Sequence, residues 1–410
     1  MPPLQIYDRR ERALVTTADR VLALGAAVTR PLRRRRPPVV PRRILLLRLE
    51  RIGDLLMALP ALADLRRLAS GATIDLVVGS WNAELARAIV PVTQVHILDA
   101  TWLAREGEGL GLPSLVREAR RWRAASYDLA INFEPDIRSN LLIASSGAAW
   151  TAGYGSGGGG ALLDLSLEYD RDAHTTENAR RLVAAVFETV RVESERGAGP
   201  LDTPPPSETL ALPADLRANA ARLLGKARGP LVGVHVGGGR AIKQWAPERF
   251  ADVARRLIES AGATIVLTGS EGDRSLVNIV AQALPASHLI DVAGHLDLLS
   301  LAALLERLDI LITGDTGPMH LAAAVATPIV AVFGPSDPAR YAPRGPLDRV
   351  VRVDLPCSPC NRIRRPPARC TGHTPDCLAF VRADSVFTAA MAVLQESRRR
   401  AAVHADPTTA

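Results

Sequence analysis

From residue 43 onward the chain alternates short, unbroken apolar runs with stretches long enough for helices. The runs are ILLLRL, IDLVV and DLAINF in the first half, and LVGVHV, TIVLTG, DILITG and PIVAVFG in the second. A strand buried on both faces of a parallel sheet reads as a continuous Val/Ile/Leu run, and helix-length spacers between such runs are the signature of βα units. Both halves are therefore predicted to be doubly wound α/β domains.

A chain of 410 residues exceeds one ordinary hydrophobic core, which also points to two domains. The stretch ESERGAGPLDTPPPSETLALP (193–213), rich in Pro, Gly, Ser and Glu, cannot build a core and reads as the linker. The predicted organisation is an N-terminal extension over 1–42, a first domain over 43–204, a second over 205–395 and a tail over 396–410. A second glycine-rich segment, GYGSGGGG (153–160), reads as a mobile loop at the border of a ligand cleft.

The extension differs from the rest. Leu14, Ala18, Val21, Leu22 and Val28 recur at roughly helical spacing and are followed by the basic run RPLRRRRPPVVPRR. Two readings fit this pattern: a helix packed on the body or a loose extension, and an amphipathic segment of residues 1–43 that touches a membrane surface. Asp19 and Arg20 interrupt its apolar part, so it is not a secretory signal.

Composition narrows the classes. With 47% hydrophobic and 23% charged residues the chain is globular, and no uninterrupted apolar stretch is long enough to span a bilayer. Fifty basic residues against 43 acidic ones give a net charge of +7, which favours anionic partners. Aromatic residues are only 4% and no nucleic-acid module is recognisable, which argues against nucleic acid. Four cysteines and no export signal suit the cytoplasm.

In an open α/β sheet ligands bind beyond the carboxyl ends of the strands, so the residues after each run carry the candidate chemistry. Asp54 follows ILLLRL and precedes LLMALPALADLRRL; it is either a helix N-cap or a general base able to deprotonate a hydroxyl. After LVGVHV stand Gly237, Gly238 and Gly239, whose amides can approach a phosphate closely, and then Lys243, which can supply a point charge. This is neither the dinucleotide nor the P-loop fingerprint, and a plain turn is the competing reading. After DILIT come Gly314, Asp315, Thr316, Gly317 and Pro318. Pro318 suits a first helical turn, and the Thr316 and Gly317 amides would form an anion site there. His320 in that turn is either structural or part of the site. Glu271 and Asp273, after TIVLTG, are either solvated loop carboxylates or partners of a ribose hydroxyl.

Cys357, Cys360, Cys370 and Cys377 form a C-x2-C-x9-C-x6-C pattern. Their spacing is compatible with a structural zinc, free or redox-sensitive thiols, or disulfides; the second pair is wider than in ordinary zinc ribbons.

The segments RLERIGDLLMALPAL, KQWAPERFADVARRL and GDTGPMHLAAAVATPIVAVFGPSDPARYAP together resemble glycosyltransferase family 9, the heptosyltransferase family of bacterial lipopolysaccharide core assembly, over roughly residues 43–395. The resemblance implies an α/β fold of GT-B type, two Rossmann-like domains facing across a cleft, with acceptor on the first and sugar nucleotide mainly on the second. It makes Asp54 the catalytic base, Lys243 a contact of the donor phosphates, and Asp315, Thr316, Gly317 and His320 the donor-binding segment. Asp315 would lie near the transferred sugar, with the Thr316 and Gly317 amides at the diphosphate. Two positions depart from the family pattern: Glu50 stands where aspartate is common, and Asp273 stands about where a ribose-binding glutamate is found.

The function so implied is inverting, metal-independent transfer of a sugar, heptose from ADP-heptose, to a lipopolysaccharide core or related anionic glycolipid. No cofactor is required for it. The expected location is the cytoplasm; residues 1–43 lie outside the family pattern altogether, and their own amphipathic, basic pattern makes them the candidate peripheral contact with the cytoplasmic face of the inner membrane. The same chemistry with another nucleotide sugar in capsule or protein glycosylation, and a non-catalytic sugar-nucleotide-binding protein, are the alternatives.

Overall fold

A computed structural model describes residues 4–6, 8–29, 36–38, 40–103, 109–194, 210–225 and 227–405. It divides into two compact units, Met1–Thr209 and Leu210–Ala410. The predicted linker lies mostly outside the described residues, as does most of the basic run after residue 29.

The first unit contains six strands: β1 (Arg43–Leu47), β2 (Thr73–Val78), β3 (Gln94–Ile97), β4 (Leu129–Asn132), β5 (Trp150–Tyr154) and β6 (Leu165–Leu167). They form one sheet in the order β3-β2-β1-β4-β5-β6, and every neighbouring pair is parallel. Strand β1 is central because ILLL can be buried on both faces: Ile44, Leu45, Leu46 and Leu47 are inaccessible to solvent. In register, Leu47 stands between Val77 of β2 and Asn132 of β4. Leu45, Leu47, Val77 and Ala130 meet Leu142 and Ile143 of helix Ile137–Ser145 in one core.

The second unit repeats the plan with β7 (Leu231–His235), β8 (Thr264–Thr268), β9 (Leu289–Asp291), β10 (Ile310–Gly314), β11 (Ile329–Val332) and β12 (Arg349–Val351). Its order is β12-β11-β10-β7-β8-β9, again parallel throughout. Counted from the first strand of each unit, both sheets have the 3-2-1-4-5-6 order of a Rossmann-like fold. Helix Pro247–Ala261 starts on a proline and stops at Gly262, whose positive φ of 62° terminates it. Trp245 and Phe250 pack edge to face at 4.8 Å beneath it.

In each sheet the order in which successive strands are added reverses at one place, between β1 and β4 and between β7 and β10. Such switch points leave a crevice at the strands' carboxyl ends, where ligands of this fold bind.

The extension folds as helix Arg9–Thr29. Asp8 starts it, its Oδ1 accepting the amides of Arg10 and Glu11 at 2.9 Å. Asp19 is buried and accepts the Gly159 amide at 2.6 Å. The Gln5 amide donates to Ser156 at 2.7 Å, and its side chain donates to the Tyr169 carbonyl at 2.8 Å. The glycine-rich segment, expected to be a mobile loop, is instead packed: residues 156–159 are buried. A side chain at Gly157 would come within 1.8 Å of the Pro135 carbonyl oxygen, so absent side chains here allow close packing. Among the described residues no helix is long and apolar enough to cross a membrane.

Candidate active site

The two switch points gather most of the residues singled out above. In the first unit, β1 runs into Arg48, Leu49 and Glu50 before helix Ile52–Met57 begins. Asp54 is not the N-cap of that helix: it occupies the first turn, and its Oδ2 accepts the Arg51 amide at 3.2 Å. Arg48 is buried behind it. Its Nη2 lies 3.5 Å from Asp54 Oδ1, and its Nε donates to the Asp54 carbonyl at 3.3 Å. Its Nη1 donates to the Phe133 carbonyl at 2.6 Å and lies 3.1 Å from Glu50 Oε2. One guanidinium thus ties the end of β1 to the end of β4 and fixes both the backbone and the carboxyl group of Asp54.

Glu134, two residues beyond β4, completes this arrangement. It is buried, accepts the amides of Leu49 and Glu50, the latter at 2.9 Å, and accepts the Ser139 hydroxyl at 2.5 Å. Burial raises its pKa, against the opposing pull of Arg48 and its hydrogen bonds. Glu50 is pushed up to about 8, first by desolvation and then by the charge of Asp54, with Arg48 acting the other way. Burial alone would loosen the proton on Arg48; the Glu50, Asp54 and Glu134 carboxylates outweigh it and hold that proton more tightly. The Glu50 carbonyl in turn accepts Trp81 Nε1 at 2.9 Å and Asn82 Nδ2 at 2.8 Å.

In the second unit the loop after β7 brings Lys243 beside the end of β10. Lys243 Nζ lies 2.6 Å from Asp315 Oδ2, and His320 Nε2 lies 3.9 Å from Asp315 Oδ1. Asp315 is buried. Burial works against its charge, yet Lys243, His320 and a hydrogen bond from Ser336 prevail and hold its carboxyl below the usual range. Thr316 caps helix Gly317–Ala324, its hydroxyl accepting the Met319 amide at 3.4 Å and pairing with the Thr313 hydroxyl at 3.1 Å. That helix presents its positive end beside Lys243 and Asp315.

The glycine run behaves unevenly. Gly237 is buried, Gly238 half-buried and Gly239 exposed. A Cβ on Gly237 would fall 2.5 Å from the Asp273 carboxylate, so this glycine lets Asp273 approach the loop. Asp273 is nevertheless bound locally: its Oδ2 accepts the Ser270 amide at 2.9 Å and the Ser270 hydroxyl at 2.6 Å. His235, at the end of β7, is buried, lies 3.1 Å from the Thr268 hydroxyl, and is lowered to about 4, chiefly by burial.

The four cysteines are free thiols, from exposed Cys357 to buried Cys377. Burial, and then the nearby Cys360, Cys370 and Cys357, push the Cys377 thiol up to about 11. Among the described residues no group of three or more His, Cys, Asp or Glu side chains is placed to hold a metal ion.

Glu134 gave no candidate from the sequence, and Arg48, noticeable beside Asp54, gave no role. Glu134 follows the run DLAINF almost directly, so the rule that found Asp54 and Asp315 also reaches it. Arg48 stands close to Asp54 in sequence, but the tie it makes to the end of β4 was hidden, because Phe133 and Glu134 are distant in sequence.

These features define a two-domain protein with Rossmann-like halves and a polar cluster at each switch point. The sequence model of glycosyltransferase family 9 (heptosyltransferase) matches residues 115–368. The chain belongs to that family and is a glycosyltransferase. It is 26% identical over 330 residues to lipopolysaccharide heptosyltransferase 1 of Pseudomonas aeruginosa, covering 78% of this chain and 86% of that protein. Its fold is similar to that of the ADP-heptose lipopolysaccharide heptosyltransferase II of E. coli, with a TM-score of 0.68, 21% identity, and coverage of 87% of this chain and 99% of that one. An E. coli heptosyltransferase solved with ADP gives a TM-score of 0.62 at 19% identity, covering 86% of this chain and 99% of that one.

Proposed function

We propose that this glycosyltransferase transfers heptose from ADP-heptose to a lipopolysaccharide core or a related anionic glycolipid, with inversion and without a catalytic metal. The observation that carries the reading is the Lys243–Asp315 contact at the switch point between β7 and β10, where this fold receives nucleotides. The relatives' heptosyltransferase names and the ADP bound by a structural neighbour support this choice of donor. The net charge of +7 suits an anionic acceptor.

In this reading the second predicted domain, residues 205–395, binds the donor and the first, residues 43–204, the acceptor. Inverting transfer needs a base to take the acceptor hydroxyl's proton as its oxygen bonds to the anomeric carbon, while the bond to the nucleoside diphosphate breaks and that group leaves with its electron pair. Asp54 is the base, held in place by Arg48. Lys243 and the amides of Thr316 and Gly317 stabilise the negative charge that develops on the leaving diphosphate, which is the service a metal would otherwise perform. Gly237, Gly238 and Gly239 give the phosphates access to backbone amides, Asp273 faces the ribose, and His320 with Asp315 lies toward the sugar.

The test is a thermal-shift screen with ADP-heptose, UDP-, GDP- and other ADP-sugars. Ligand at about a hundredfold excess over its dissociation constant stabilises by roughly 2.7 kcal/mol. A shift confined to ADP-heptose is expected. A shift with a different sugar nucleotide would change the donor and keep the chemistry, and no shift with any would overturn the reading.

A further inference from the structure

Helix Arg9–Thr29 has apolar side chains on two sides, and the first unit covers only one. The inward side is fixed by the Asp19–Gly159 hydrogen bond and by Val15, which lies against Gly158. Leu14, Val21 and Val28 follow one another at seven-residue intervals, so they form a line along the helix, and that line points away from Val15 and Asp19. They are 73%, 64% and 74% exposed, and Leu24 beside them is 71% exposed. Arg10 falls on the same line and Arg20 flanks it; both are exposed. Glu11 and Asp19 are the only acidic residues of the helix, and Asp19 faces inward. The sequence then continues with arginines at 30, 33, 34, 35 and 36.

We infer that this outer face of helix Arg9–Thr29 is a docking surface for an anionic phospholipid bilayer, with Leu14, Val21, Leu24 and Val28 entering the acyl boundary and Arg10 and Arg20 meeting lipid phosphates. A helix with an apolar line and cationic flanks lies in the plane of a membrane surface in this way. Charge chooses the occupant: a neutral apolar partner would leave Arg10, within the line, without a counter-ion.

The placement also has a use, which rests on the proposed glycolipid acceptor. The helix clamps residues 156–159, and that segment packs on Pro135 and Ile137, immediately after Glu134. Docking through this helix would bring the β4 end of the first unit, and with it the Arg48–Asp54 cluster, toward the leaflet that holds a lipid-borne acceptor.

The experiment uses the full chain, co-sedimented with vesicles of phosphatidylglycerol and phosphatidylethanolamine or of phosphatidylcholine alone, beside calorimetric ADP binding. Wild type is expected to pellet with the anionic vesicles only. The triple variant Leu14→Ser, Val21→Ser, Val28→Ser, which keeps every arginine, should lose vesicle binding by about tenfold or more and keep its ADP affinity. The double variant Arg10→Glu, Arg20→Glu covers the case in which the triple variant misfolds, and should lose binding at an unchanged melting temperature. Variants that pellet like wild type would overturn the inference. So would a wild type that ignores vesicles and self-associates through this face, read as a mass that halves in the triple variant. Vesicle binding without ADP binding would retain the docking surface and remove the proposed donor.

Discussion

At the switch point of the first sheet one guanidinium, Arg48, faces the carboxyl groups of Glu50, Asp54 and Glu134. At the switch point of the second, one carboxylate, Asp315, faces Lys243 and His320. The strand orders are the same, so the contrast is carried by side chains placed on a shared scaffold. Burial first, and then the neighbouring carboxylate of Asp54, favour proton uptake at the first site, and Glu50 keeps its proton to about 8. An excess of cations holds Asp315 ionised and gives an arriving anion groups to bind. One fold thus offers a site for taking a proton and a site for receiving negative charge, the two needs of the proposed transfer.

The largest effect that would break this contrast is on turnover. Removing the proposed base by Asp54→Ala should slow transfer by about 10²–10⁴-fold, the range of general-base contributions, with circular dichroism unchanged. Transfer kinetics within a few-fold of wild type would remove Asp54 from the chemistry.

Next in size is stability. Arg48→Met leaves Asp54 and buried Glu134 without their guanidinium, and breaking a buried ion pair costs about 3 kcal/mol or more. Urea unfolding should show the loss at neutral pH and a smaller one at about pH 5, where the carboxyl groups can take up protons instead. A pH-independent loss would mean that Arg48 acts through packing alone.

The smallest effect sharpens the contrast through pH. An unfolded glutamate ionises near 4.3, whereas folded Glu50 holds its proton to about 8. Between those values the folded chain binds more protons than the unfolded one, so this group's contribution makes stability fall as pH rises. Glu50→Gln should therefore flatten the decline in melting temperature between about pH 5 and about pH 8. An unchanged slope would place that proton elsewhere.

The runs that made the architecture legible in the sequence are the central strands, β1, β2, β4, β7, β8, β10 and β11, because burial on both faces demands continuous apolar residues. Strands β3, β6, β9 and β12 were missed: they are half-exposed, and three or four residues long. Strand β5 was missed for another reason. Its sequence WTAGY is wholly buried but lacks a β-branched apolar run. Asp54, Lys243 and Asp315 were legible because each follows a strand directly or through one short loop. The contacts that give them meaning were not, since Arg48 to Phe133 and Lys243 to Asp315 are joined only by the sheet. Glycines 157–159 misled for the same reason: composition reports the missing side chains, not the helix that packs on them.

The division of labour between the two sheets is tested most directly by titrating ADP into wild type, Lys243→Ala and Asp54→Ala in a calorimeter. Lys243→Ala is expected to weaken ADP binding by about 1.5–3 kcal/mol, the worth of a charged hydrogen bond, and Asp54→Ala to bind as wild type does. Equal affinity in all three, or a loss confined to Asp54→Ala, would contradict that division.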